Sequence, residues 1–167
     1  TGTGQLLRNT LTVRRELLDI ERFDARISAC VFPPDTAYCR EQPSTGVQAI
    51  FPARLCERGR FRASAGTMPV AARSAFAEEF SAACDMARRA GADIAMIYSL
   101  RESYEGREAV LHAYDAQTKK WITSQDVFLG SDQEAAWPHV FELLCAKLER
   151  RMPVARGRLR PIDKSGL

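Results

Sequence analysis

The segment from Gly91 to Met152 constrains the fold more than any other part of the chain. Ile94, Met96, Tyr98 and Leu100 alternate with Ala95, Ile97 and Ser99, so both faces of this run are largely apolar. Alternation is the period of a strand, and apolar residues on both faces put that strand in the middle of a sheet, covered on at least one side. The strand covers Asp93–Arg101 and the chain turns at Glu105-Gly106. In a second strand, Glu108–Asp115, one face carries Val110, His112 and Tyr114 and the other Ala109, Leu111 and Ala113. Gln117-Thr118-Lys119-Lys120 leads back into a third strand, Trp121–Leu129.

A helix closes this unit, with Trp137, Phe141, Leu144, Leu148 and Met152 as its apolar stripe. Ser131 and Glu134 have the spacing of a capping box, but Pro138 lacks the amide that a helix interior needs. A short turn followed by a fresh start at Pro138 is therefore expected. Another helix precedes the unit. It opens near Thr67 and Pro69, buries Phe76, Phe80, Cys84 and Ala87, and ends at Arg88-Arg89 before Gly91, which can take the left-handed stop conformation.

The earlier residues are less regular. Leu7, Leu11 and Leu18 suit an amphipathic helix over Leu6–Phe23, and the alternation of Ala25, Ile27, Ala29 and Val31 marks a strand that Pro33-Pro34 stops. A loop should run to Gly46. Val47–Cys56 and Arg60–Ala65 then read as a hairpin around Glu57-Arg58-Gly59, with Pro52 making the first an edge or interrupted strand. The expected fold is one α/β (α+β) sandwich over residues 1–152, a mixed or antiparallel sheet packed with two or three helices, and then a basic tail, 153–167. A chain of 167 residues is long enough to bury a single core without metals or disulfides.

The net charge of +3 is unevenly spread. Seven cations against two anions between Lys147 and Lys164 leave the rest of the chain slightly acidic. Arg150, Arg151, Arg156, Arg158 and Arg160 are the candidates for contact with a polyanion or a partner protein. That run contains no aromatic residue to stack bases, so nucleic acid is a disfavoured partner. A cytoplasmic nucleic-acid-binding or regulatory module using the tail is the alternative reading.

No phosphate-binding glycine loop, dinucleotide fingerprint or nucleophile elbow occurs. His139 and Cys145 are six residues apart on a helix and point to different sides. Glu78-Glu79 and Glu102/Glu105/Glu108 read as solvated charge. No catalytic, cofactor or metal residue is assigned: the five cysteines show no ligand spacing. Cys39 and Cys56, in or beside loop-like segments, are the pair expected to join in an oxidising compartment, while Cys84 and Cys145 fall on apolar helix faces.

Gly91-Ala92-Asp93-Ile94, followed by Tyr114-Asp115-Ala116-Gln117-Thr118-Lys119-Lys120, resembles a bacterial envelope family. It includes the periplasmic domains of the curli secretion lipoprotein, the amino-terminal domain of TolB and lipoprotein activators of penicillin-binding proteins. There a helix ends in Gly-Ala-Asp, and a later strand closes on Tyr-Asp-x-x-Thr-Gly/Lys. The resemblance covers about Ala72–Met152 and lies in turn-forming positions, so no functional residue is carried over; Thr1–Gly66 does not show the family's opening strand and helix. It implies an anticodon-binding-domain-like α/β sandwich and a non-enzymatic periplasmic protein acting in assembly, secretion or polymer handling. The implied partners are other envelope proteins or further copies of the chain. The sequence opens at Thr1 with neither a methionine nor a signal-like segment. Outer-membrane association through a removed lipid anchor is the matching expectation.

Overall fold

A computed structural model gives the fold and describes residues 23–24, 26–67, 76–131, 136–152 and 160–161. Its centre is a six-stranded mixed sheet in which β4 (Phe61–Ala65), β2 (Ile27–Val31), β5 (Ile94–Glu102), β6 (Gly106–Asp115) and β7 (Trp121–Gly130) lie in that order, with β3 (Asp35–Cys39) beside β5. β2 lies between β4 and β5 and is parallel to both. β6 and β7 follow as an antiparallel meander. A separate antiparallel pair joins β1 (Phe23–Asp24) to β8 (Arg160–Pro161). The three strands expected after Gly91 are all present, and β5 is central as its two apolar faces require.

Among the described residues three helices cover the sheet. α1 (Thr45–Glu57) connects β2 and β3 to β4, α2 (Phe76–Arg89) connects β4 to β5, and α3 (Trp137–Arg151) follows β7. The two parallel crossovers step in opposite directions across the sheet, so crossovers of one hand put their helices on opposite faces. On one face α1 and α3 pack Phe51, Leu55, Phe141, Leu144 and Leu148 against Ile27, Met96, Leu100 and Leu111. On the other, α2 sets Ala83, Cys84 and Ala87 against Cys30, Phe32 and Ala95, and Phe80 stacks on Tyr114 at 4.9 Å. The small alanines let α2 lie close to the strands.

Two expectations for the first half of the chain are corrected. Residues 47–56 are helical, and β4 pairs with β2 rather than with them. Ser44 caps α1, its hydroxyl accepting from the Val47 amide at 3.2 Å, and Phe51 and Leu55, one helical turn apart, are buried. Pro52 cannot bond the Gln48 carbonyl one turn earlier. The Tyr98 hydroxyl donates to that carbonyl instead, at 3.4 Å.

The expected loop after Pro33-Pro34 contains β3 (Asp35–Cys39). β5, nine residues long, is matched by β2 only as far as Met96, and β3 pairs with the remainder, Asp35 opposite Ser99 and Cys39 opposite Glu102. Pro33-Pro34 thus interrupts a ribbon along one edge of β5 rather than ending it.

α3 begins at Trp137 with Pro138 in its first turn, as expected, and Gly91 takes φ 75° after α2. The Leu6–Phe23 helix lies outside the described residues, apart from Phe23, which belongs to β1. Glu134 of the capping box, the 68–75 approach to α2 and most of the basic tail also lie outside them.

Candidate functional site

β3 ends beside the β5–β6 turn, and β7 ends beside the start of β6. Around this end an open cleft of about 510 Å³ is lined by Tyr38, Arg101, Glu102, Glu105, Glu108 and Phe128. Tyr38 is 69% exposed, Phe128 55%, and neighbouring Tyr104 79%. Register explains the grouping: Tyr38 opposes Arg101 on β5, Arg101 opposes Glu108 on β6, and Glu108 opposes Phe128 on β7.

Ion pairs and ring contacts order these side chains. The Arg101 guanidinium lies 5.5 Å from the Tyr38 ring centre and 3.8 Å from Glu108, and Arg40 lies 3.7 Å over Tyr104. Arg107 binds Glu102 at 3.1 Å. Aromatic rings held by arginines, with a rim of carboxylates, have the composition of a surface that binds protein.

A second group lies further along the same sheet face. His112 and Ser124 are opposed in register, with Nδ1 and Oγ 2.6 Å apart, and the Trp121 indole N–H donates to Ser124 Oγ at 2.8 Å. Burial lowers the His112 pKa, favouring the neutral ring that can accept the Ser124 proton. The contact fixes the Trp121 ring, which is 62% exposed. Sequence reasoning placed His112 on the correct face but missed Ser124, because which residue stands opposite depends on a register shift between Ala113 and Tyr114.

The cysteines are free, and the structure does not join Cys39 to Cys56. Cys39 Sγ donates to the Leu100 carbonyl at 3.3 Å, whereas Cys56 Sγ accepts from the Ala63 amide at 3.3 Å. The helical form of α1 aims Cys56 at β4, away from the loop geometry on which the pairing was expected. Burial pushes the Cys84 thiol up to about 11 and the Cys145 thiol up to about 12, so neither is disposed to form a thiolate nucleophile. Among the described residues no group of three or more histidine, cysteine, aspartate or glutamate side chains could hold a metal ion.

Arg150 and Arg151 are exposed in the last turn of α3. Arg160 stands opposite Asp24 in the β1–β8 pair, and Arg156 and Arg158 lie outside the described residues. The structure therefore separates Arg150 and Arg151 from the aromatic cleft, which lies at the other end of the strands.

The turn that carried the family resemblance has a clear geometry. Asp115 Oδ1 accepts from the amides of Gln117 and Thr118 at 2.8 and 2.9 Å, and Lys119 takes φ 58°. That left-handed position is one that glycine takes without strain.

No protein-family model matches the chain, and no curated protein matches it in sequence. Its fold is similar to that of TolB from Acinetobacter baumannii, with TM-score 0.53 and 13% identity over 75% of this chain and 28% of TolB. It is similar to a PelC dodecamer from Paraburkholderia phytofirmans, with TM-score 0.50 and 13% identity over 80% of this chain and 91% of PelC. The LpoB C-terminal domain from Escherichia coli gives TM-score 0.50 and 15% identity over 66% of this chain and 85% of that domain. The likeness to TolB that the turn signature suggested is thus present in the fold.

Proposed function

We propose that this chain is a non-enzymatic protein of the bacterial envelope, placed in the periplasm, that acts in assembly, secretion or polymer handling by binding other envelope proteins. The observation that carries the proposal is the exposed aromatic cleft at the β5–β6 end. Tyr38, Tyr104 and Phe128 stay in solvent although the chain has two cores in which to bury aromatic rings. Large rings held by arginines around a concavity are what a partner's side chains cover in a protein interface. The fold, shared with TolB and LpoB, supports the same reading. Self-association belongs to it as well, since PelC of similar fold was solved as a dodecamer.

Site-specific photocrosslinking tests the reading. A photoreactive residue in place of Tyr104 or Phe128, in cells making the chain, is expected to give a discrete adduct with an envelope protein or with a second copy. The same residue in place of Glu57, on the exposed end of α1, should give none. Equal labelling at all three positions, or adducts with cytoplasmic proteins alone, would refute the proposal.

A further inference from the structure

The end of the molecule opposite the cleft is basic, and its cations come from separate parts of the chain. α2 ends in Arg88-Arg89 just before β5, and α3 ends in Arg150-Arg151. Arg60, preceding β4, donates to the carbonyls of Glu149 and Met152, which puts the end of α3 beside the start of β4. β4 and β5 both start alongside the first residues of β2, Phe61 opposite Ile27 and Ile94 opposite Ala29. Lys120 and Trp121 follow the β6–β7 turn at this same end, because Asp115 of that turn stands opposite Ile94. Arg88, Arg89, Lys120, Arg150 and Arg151 are all exposed. Arg88 retains a 3.2 Å pair with Asp85, and Arg150 an N–H contact of 3.4 Å with the Ala146 carbonyl.

We propose that this end rests on an anionic lipid surface. α2 and α3 lie on opposite faces of the sheet, so the described cations come from both sides of it. Such a spread complements a plane of phosphates better than a single polyanion strand. Trp121 adds a second feature of the same kind. An indole ring 62% exposed beside Lys120, its N–H already bonded to Ser124, suits the headgroup layer, where its apolar body is accommodated. Nucleic acid would require a row of stacking rings, and Trp121 is the single large exposed aromatic at this end among the described residues. Arg26 before β2 and Met152 after α3 also lie at this end. The aromatic cleft then points away from the membrane.

Co-sedimentation of the full chain with phosphatidylglycerol-containing vesicles, against phosphatidylcholine vesicles, tests the proposal. Binding is expected only to the anionic vesicles and should fall with salt. It should weaken about fivefold for each cation removed in Arg88→Gln, Arg89→Gln, Arg150→Gln and Arg151→Gln, with the unfolding midpoint unchanged. Tryptophan emission should shift to the blue on binding, and Trp121→Phe should abolish that shift, because Trp137 is only 6% exposed. Retention on heparin without vesicle binding would overturn the proposal in favour of a soluble polyanion. Vesicle binding that survives all four substitutions, or an emission shift that survives Trp121→Phe, would overturn it too. None of these results depends on what occupies the cleft.

Discussion

Lys119 reaches from the β6–β7 turn to Asp85 on α2, with Nζ 3.1 Å from Oδ2, while its own backbone holds a left-handed φ of 58°. A hydrogen bond to Ser81 Oγ at 2.8 Å completes the contact. The side chain thus ties the turn to the helix on the sheet face that α2 covers, at the expense of a conformation in which glycine would be unstrained. Lys119→Gly and Lys119→Ala separate the two effects. Both lose the tie to α2, and Ala alone keeps the strain, so Ala should be the less stable variant by about 1 kcal/mol in urea unfolding.

Stability should fall in two steps as the solution is acidified. Burial lowers the His112 pKa, so the unfolded chain takes up its proton first; this contribution is complete above about pH 6.5 and is lost as pH drops through the folded value. The Glu149 carboxyl is held low by the hydrogen bond from Arg58, and that of Asp85 by the bond from Lys119. Their contribution is present above the ordinary carboxylate range and is lost below it by the same sign. His112→Gln should remove the first step and spare the second in a series of thermal melts against pH.

Arg58 links α1 to α3. Its Nε and Nη2 bind the two carboxylate oxygens of Glu149, each at 2.9 Å, and Nη1 binds Glu142. The guanidinium side chain is 30% exposed, so solvent screens the pair and Arg58→Ala should cost about 1 kcal/mol. Arg58→Lys should recover less than half of this, because an ammonium cannot engage both oxygens in the same fork. Chemical denaturation of the two variants checks the order.

Gly106 starts β6 at φ 155°, and a Cβ there would stand 2.0 Å from the Leu129 carbonyl oxygen. Gly106→Ala must therefore push β7 away at the point where Phe128 reaches the cleft. A loss of roughly 2–4 kcal/mol is expected, from strain and overpacking together. Hydrogen exchange should show the amides of Leu129 and Arg107 losing protection before those of Leu111.

The second half of the chain was legible because its elements carry their period openly. Ile94 to Leu100 alternates, the α3 stripe repeats at helical spacing, and Pro138 marks where that helix can start. The first half was not legible, for reasons of tertiary context. Val47, Ile50, Phe51 and Leu55 do have helical spacing, but Pro52 argues against a helix unless a distant donor replaces its amide. β3 contains Asp35 and alternates weakly, and it is a strand because β5 is longer than β2. The cleft was invisible for a related reason. Tyr38, Glu108 and Phe128 lie far apart in sequence, and only the strand register brings them into one row.

The hydroxyl of Tyr98 on the Gln48 carbonyl also limits how the sequence can drift. Position 98 must supply a donor for as long as position 52 is proline, although a phenylalanine would fill the same buried space. If Pro52 were exchanged for a residue with an amide, the hydroxyl would become dispensable. The two substitutions are then tolerated in one order and penalised in the other, and descendants of this chain should accept Tyr98→Phe only after the loss of proline at 52.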